Sequence, residues 1–339
     1  MAETVFSVGT QVFGAARARI NYWRRIFPAY FGGGVSQLTF WHDHPKVNER
    51  AFDGKLDQYY QDFSEKADYQ GLCDSTGIPL LDYRGNIGKQ YNPIATAQYG
   101  LGNYNLYRQG GGEERRHRFL RAAGWLVEQL EVNRHRVPVW HHHFDWEYRE
   151  ILKAPWYSAL AQGQGISLLV RAFVDTGKQI YLDTAHGAFE AFLLEIGQGG
   201  VSWPDEDGHI WFEEYLVLPP SHILNGFIWA LWGVYDYYLA TQKECAKQLF
   251  EKGVLTIAVN LPRYDTGFWS LYDLSHTFLW PLASPFYHGL HIKQLEIMHR
   301  LTGLPVFLEY ADLWESYRRS YLKRNLAFGC KALFKIFYY

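Results

Sequence analysis

Beyond Tyr83 the apolar residues recur every three to four positions in runs of ordinary helix length, separated by Gly- and Pro-bearing loops, the spacing of helices that bury one face. Residues 156–176 show it most plainly: Trp156, Leu160, Gly163, Leu169, Val170 and Phe173 share one side and Gly177 ends the run. Residues 113–132 predict a charged amphipathic helix, and residues 181–196, 245–260, 287–302 and 305–326 predict four more. Residues 221–241 are apolar nearly all round, which suits an inner helix covered on every side. Residues 199–215 change period: Asp207 and Gly208 are a turn signal between Trp203 and the run Ile210, Trp211, Phe212, so a β-hairpin is expected. Residues 1–80 hold Gly32, Gly33 and Gly34 and a polar run over 42–70 without a sustained period. They predict an N-terminal arm with short strands, leaving 81–339 as the helical domain. About seven or eight helices and few strands give a mainly α class, either an antiparallel bundle or an α/α toroid whose loops line a cleft at one end.

Composition narrows the function classes. The 339 residues carry a formal net charge of -2, so no whole-chain field argues for nucleic acid or an acidic membrane, and a polyanion would have to be gripped locally. The 13 Trp, 25 Tyr and 22 Phe exceed ordinary use; most are expected in the core, with a minority in a cleft where ring faces stack on sugars. Cys73, Cys245 and Cys330 are too far apart for a zinc spacing and odd in number. No apolar run is long enough to span a bilayer, and the first thirty residues lack a signal-peptide core. The expectation is a soluble, cytoplasmic protein without cofactor or metal. His141, His142, His143 and Asp145, like His42 and His44, have adjacent rather than convergent donors and are expected on solvated loops. Gly110, Gly111 and Gly112 precede a helix but lack a phosphate-loop lysine and hydroxyl.

Candidate chemistry concentrates late in the chain. Residues 263–274 crowd Arg263, Tyr264, Asp265, Tyr272 and Asp273, and residues 286–295 hold Tyr287, His288 and His291. His288 and His291 lie one turn apart on a helix and share a face. Glu213, Glu214 and Tyr215 precede them, as do Asn225, Gly226 and Phe227, with a fainter echo at Tyr91, Asn92, Gln98 and Tyr99. In this order the motifs resemble the C-terminal catalytic domain of D-glucuronyl C5-epimerases. The resemblance implies an incomplete α/α toroid preceded by β-rich segments, a homodimer, and a glucuronate polymer of the heparosan or heparan sulfate type as substrate. It also implies catalytic roles for Tyr215, Tyr272, Tyr287 and Glu214, and a substrate cleft that includes Tyr91, Gln98, Tyr99 and Asn225. Ser275 departs from the pattern, where animal members carry arginine. Arg263 and His276 are the expected substitutes for it, and His288 and His291 are further expected substrate-binding residues.

Inverting C5 of a hexuronate removes a proton α to a carboxylate and returns one from the opposite face, so two acid–base groups and a stabiliser for the enolate are required. Tyrosine serves as acid directly and as base once its pKa is lowered from about 10. A polysaccharide lyase begins with the same proton abstraction, and a glycoside hydrolase could pair Glu214 with Asp265. A non-catalytic sugar-binding relative is the remaining alternative.

Overall fold

The computed structural model describes residue 24 and residues 37–148 and 151–338. The first part of the expected N-terminal arm, with Gly32 to Gly34, lies outside the described residues. Helices α1 (Pro93–Arg108), α2 (Glu113–Glu128), α3 (Ala159–Thr176), α4 (Gln179–Phe189), α5 (Leu224–Thr241), α6 (Glu244–Tyr264), α7 (Pro285–Thr302) and α8 (Pro305–Arg319) pack as consecutive pairs, and α9 (Tyr321–Tyr338) follows. The first members of the pairs also touch in succession, α1 to α3 to α5 to α7. They form an inner arc, and the second members form the outer layer: an incomplete α/α toroid.

Burial explains which helix goes where. The inner helix α3 is buried without interruption from Ala159 to Ala172, whereas outer α2 buries only Phe119, Ala122, Ala123 and Leu126, a stripe at helical spacing. Helices α3 and α5 approach so closely that a Cβ on Gly163 would meet Ala230 Cα at 2.5 Å, and one on Gly233 would meet the Gly163 carbonyl oxygen at 2.2 Å.

The arc stays open between α7 and α1, and the N-terminal segment fills the gap. Strands β1 (Lys46–Val47) and β2 (Gln61–Asp62) pair antiparallel, β1 rests on α7, and the single turn Ser64–Ala67 rests on α1. Four further two-stranded antiparallel sheets lie in the loops: β3 (Leu81–Asp82) with β4 (Lys89–Gln90), β5 (Leu130–Val132) with β6 (Pro138–Trp140), β7 (Trp146–Glu147) with β8 (Ile151–Leu152), and β9 (Ser202–Pro204) with β10 (Ile210–Phe212). The last is the expected hairpin, with Trp203 opposite Trp211.

Some elements differ from the sequence expectation. Helix α1 was not among the periodic runs because Gln98, Asn103 and Asn105 interrupt any apolar stripe, yet it is buried from Pro93 to Asn105. Its polar residues find partners inside the fold: Gln98 donates to Gln164 Oε1, Asn103 donates to the Tyr99 carbonyl one turn back, and Asn105 accepts from Tyr59 N–H (2.7 Å) and donates to the Tyr59 and Gln61 carbonyls of the segment that closes the ring. The run over 305–326 is two helices separated at Ser320, and the run over 113–132 ends at Glu128 so that Leu130–Val132 can pair with β6. Among the described residues no helix is long and apolar enough to cross a membrane.

One buried ion pair joins three parts of the fold. Arg171 on α3 and Asp236 on α5 are both fully buried, with Nη1 to Oδ2 at 2.6 Å and Nη2 to Oδ1 at 3.2 Å. Arg171 also donates to the Asp57 carbonyl (2.8 Å), and Tyr60 Oη donates to Asp236 Oδ1 (2.6 Å), which ties in the N-terminal segment. Removing one partner strands a buried charge, a loss of about 3–5 kcal/mol. Arg171→Met is expected to lower stability by that order, and Arg171→Met with Asp236→Leu to recover most of it. Urea unfolding of the single and double variants checks this; equal losses in both would show that the pair's packing, not the stranded charge, carries the cost.

Candidate active site

All four inner helices begin at the same end of the toroid, where a cleft of about 250 Å³ opens. Each contributes first-turn or cap residues to it: Asn92 and Ile94 from α1, Ser158 and Leu160 from α3, Asn225 from α5, Ser284 and Tyr287 from α7. Asn92, Ser158 and Ser284 cap their helices by accepting from the N–H groups of Ile94, Ala161 and Tyr287. Helix N-termini carry partial positive charge, so their convergence favours an anion in the cleft.

Four phenols meet there. Tyr215 arrives just after β10, Tyr272 from the loop between α6 and α7, Tyr287 from the first turn of α7 and Tyr148 from just after β7. The rings of Tyr272 and Tyr287 lie 4.9 Å apart and those of Tyr148 and Tyr215 lie 4.5 Å apart. Trp146 Nε1 donates to Tyr215 Oη at 3.1 Å, Trp156 meets the Tyr215 ring edge-on at 5.8 Å, and Tyr148 Oη donates to Asp273 Oδ2 at 3.1 Å.

The loops bearing these rings are held to each other by backbone hydrogen bonds. Leu224 N–H donates to the Tyr272 carbonyl, Leu274 N–H to the Ser221 carbonyl, and Tyr264 Oη to the His222 carbonyl at 2.6 Å. His222 sits in the left-handed region at φ 51°, uncommon for a residue with a side chain. It is held there by fully buried Glu213, which lies 2.6 Å from its Nδ1 and accepts from its backbone N–H, and by stacking on Trp211 at 4.1 Å. The register between Tyr215 and Tyr272 is therefore set by this network.

Glu214 is buried beside Tyr215. Burial pushes its carboxyl up to about 8, the neighbouring Tyr215 hydroxyl opposes this, and the charges of Glu213 and Asp273 add to it. It is thus mostly protonated at neutral pH, and its Oε2 has no protein hydrogen-bond partner. Gly226 makes room for it, since a Cβ there would lie 2.2 Å from Glu214 Oε2. Burial raises the Tyr215 and Tyr272 hydroxyls well above 10, and the nearby Glu214 carboxyl adds to both shifts.

The structure brings Tyr215, Tyr272, Tyr287, Glu214, Asn225 and Gln98 to the cleft wall. Asn225 Oδ1 is buried without a protein partner, while Gln98 Nε2 donates to Gln164 Oε1 at 2.9 Å. The other sequence candidates do not line it. Tyr91 is half-exposed and donates to Asp74 Oδ2, Tyr99 packs in the core, Arg263 donates to Asn260 on α6 and His276 is exposed. His288 and His291 are fully buried around Ser270 Oγ, at 2.8 and 3.1 Å. Ser270 N–H donates to His288 Nδ1 and the Trp314 carbonyl lies 3.0 Å from Nε2, so the ring is neutral, and burial lowers its pKa to about 4. Ser275 turns away and donates to Asp273. Asp265 is bonded to Trp314 and Tyr317 outside the cleft, so the carboxylate pair expected of a hydrolase does not assemble.

Sequence reasoning missed Tyr148, Trp146 and Trp156 as cleft residues, and Lys331 and Lys335 of α9. The lysines stand four apart on an amphipathic helix, a signal that could have flagged them. The solvated-loop expectation fails for His142, which is fully buried and stacked at 3.8 Å on the Trp156 ring. His143 remains exposed. Among the described residues, Asp205, Asp207 and His209 on the β9–β10 turn bring metal-donor atoms within 4.8 Å of one another, and none of them lines the cleft.

Comparison with known proteins gives a family. The model of the D-glucuronyl C5-epimerase C-terminus matches residues 134–316, more than half of the chain, a stretch that includes Glu214 and the three tyrosines and ends before α9. The D-glucuronyl C5-epimerase of Caenorhabditis elegans is 35% identical over 221 residues, 60% of this chain and 35% of its own length. The chain thus spans about a third of that enzyme. An uncharacterized protein of Methanocaldococcus jannaschii is 31% identical over 212 residues, 58% of this chain and 67% of its own. The unsaturated glucuronyl hydrolase of Bacillus sp. GL1 aligns with a TM-score of 0.46 at 14% identity, over 67% of this chain and 62% of its own.

The raised Glu214 pKa has a stability consequence. The folded state holds this proton more tightly than the unfolded chain, so the contribution is full below the ordinary value of 4.5 and is lost as pH rises to about 8. Glu214→Gln mimics the neutral acid at every pH. The Tm of Glu214→Gln minus that of the parent is expected to grow from pH 4.5 to 8 in a thermal unfolding series; a constant difference would mean the group is not held protonated.

Proposed function

Because the chain belongs to the D-glucuronyl C5-epimerase C-terminal family, we propose that it is a uronate C5-epimerase that converts D-glucuronate to L-iduronate within a heparosan-type polymer. The observation that carries this reading is the meeting of Tyr215, Tyr272, Tyr287 and Glu214 in one cleft at the N-terminal ends of the inner helices. Trp146 and Trp156 offer the aromatic faces on which sugar rings stack.

The phenols divide into two groups, Tyr215 with Tyr148 and Tyr272 with Tyr287. In the proposed reaction one group serves each face of C5. The C5–H bond breaks toward a phenolate on one face, and its electron pair passes into the adjacent carboxylate as an enolate. A phenol on the other face then donates its proton to C5, so one proton leaves and one arrives, with no oxidant or reductant. Glu214, poised near neutrality, exchanges the proton of Tyr215 so that this phenol works as base or acid. The helix N-termini favour the charge that develops on the carboxylate. Burial makes these phenols resist ionisation, so a positive charge beside them is needed to hold the phenolate form. A lyase would use the same first step, and product analysis separates the two.

Incubation with a glucuronate polymer in deuterated water is expected to label C5 and yield iduronate without absorbance from a C4–C5 double bond. Chain shortening with that absorbance would make the protein a lyase, and shortening without it a hydrolase. Tyr215→Phe and Tyr287→Phe keep the ring and delete the acid–base group, so each is expected to lose at least about a hundredfold in exchange rate with Tm nearly unchanged. Near-normal exchange in both would end the tyrosine mechanism. Polymer binding is expected to weaken with added salt, since exposed charges are screened beyond about 10 Å at 0.1 M.

A further inference from the structure

Helix α9 is amphipathic with an unusual sidedness. Leu322, Phe328 and Phe337 face solvent, while Lys331 and Lys335 point inward and line the cleft. Three contacts fasten its inner face across the loop that carries Tyr272. Lys323 Nζ donates to the Gly267 carbonyl at 3.0 Å, Lys331 Nζ to the Leu282 carbonyl at 2.6 Å, and Phe278 N–H to Tyr338 Oη at 3.0 Å. Lys331 Nζ then stands 5.9 Å from the centre of the Tyr272 ring.

The third lysine on the cleft wall is already committed. Lys66 pairs with Asp43 at 3.4 Å and donates to the Phe40 carbonyl at 2.7 Å. His42, also on the wall though partly exposed, has its pKa lowered to about 4 by partial desolvation and by the charges of Lys66 and Lys335. Lys331 differs from both. Its hydrogen bond goes to a neutral carbonyl, and an ammonium has three N–H donors. The carboxylate nearest in charge, Asp273, is bonded to Tyr148 and Ser275. Burial lowers the Lys331 pKa to about 8, which leaves it mainly protonated at neutral pH. Lys331 is half-buried, so part of its hydration is lost, and an anion entering the cleft would supply a charged partner in its place.

We infer that α9 is part of the active site and that Lys331, with Lys335 one turn on, is the cation that receives the uronate carboxylate beside Tyr272. The identity of the anion rests on the epimerase reading; the position of the cation does not. An ammonium here would neutralise the carboxylate into which the C5 electron pair moves, and it would favour the phenolate form of Tyr272.

The test compares a glucuronate-containing oligosaccharide with its carboxyl-reduced counterpart, in which the carboxylate is a primary alcohol, by calorimetry. Lys331→Met is expected to lose about ten- to hundredfold in affinity for the uronate form, the worth of one charge-assisted hydrogen bond, and to bind the reduced form as the parent does. Lys331→Arg should retain the preference, and Lys335→Met should lose a smaller part of it. Lys331→Gln keeps a neutral donor for the Leu282 carbonyl and is read in the same way if Lys331→Met melts early. A folded Lys331→Met or Lys331→Gln that still prefers the uronate form as strongly as the parent overturns the inference. Loss of the preference in a protein whose parent exchanges no C5 hydrogen would sink the epimerase reading and leave the carboxylate site standing. Exchange in the parent with an unchanged preference in the variants would do the reverse.

Discussion

The arrangement of this molecule depends on holding α3 and α5 at one fixed separation and register. The helices touch backbone to backbone at Gly163 and Gly233, and the buried Arg171–Asp236 pair fixes how far each extends along the other. A methyl group at either glycine would force them apart, and sliding by a turn would break both hydrogen bonds of the pair. The segment 57–60 is fastened to the same two charged groups, so the closure of the ring follows from the same contact. With that register set, Ser158 and Asn225 open at one level, and a cleft at the N-terminal ends becomes possible.

The cleft sets opposing electrostatic demands against one another. Helix N-termini and two inward lysines favour negative charge, while burial holds Glu214 and the phenols in their neutral forms. The protons of these groups are thereby held close to the positive ends of the inner helices. The same partial burial that makes the phenols poor bases by themselves strengthens their interaction with any nearby charge, because screening falls as the local dielectric falls.

The outer helices and the hairpin at β9–β10 were legible in the sequence because their burial is one-sided and leaves a period in the chain. Helix α1 was not, since it is covered all round and its polar residues are paired inside the fold, Gln98 with the Gln164 side chain, Asn103 with the Tyr99 carbonyl and Asn105 with the distant backbone of Tyr59 and Gln61. Among site residues, Tyr215, Tyr272, Tyr287 and Glu214 converge because each lies close to a helix start or a loop tied to one. Arg263 and His276 carry the right chemistry, but their places on α6 and on an exposed loop direct them elsewhere. His288 and His291 share a face as their spacing requires, yet that face meets Ser270 and Trp314 rather than the cleft. Spacing along a helix specifies which residues are neighbours; which side they serve is decided by what packs against the helix.

The cleft wall runs from Leu38 near the start of the described chain to Lys335 near its end. A chain emerging from the ribosome would therefore have its three tyrosines, its inner arc and its capping residues in hand while the cationic side of the site was still unmade. Contacts of such long sequence separation are slow to form, because the loop entropy is spent before they reward it. The two inward lysines reach the cleft only when α9 is packed across the loop that carries Tyr272, so the make-up of the wall depends on contacts between the two ends of the described chain.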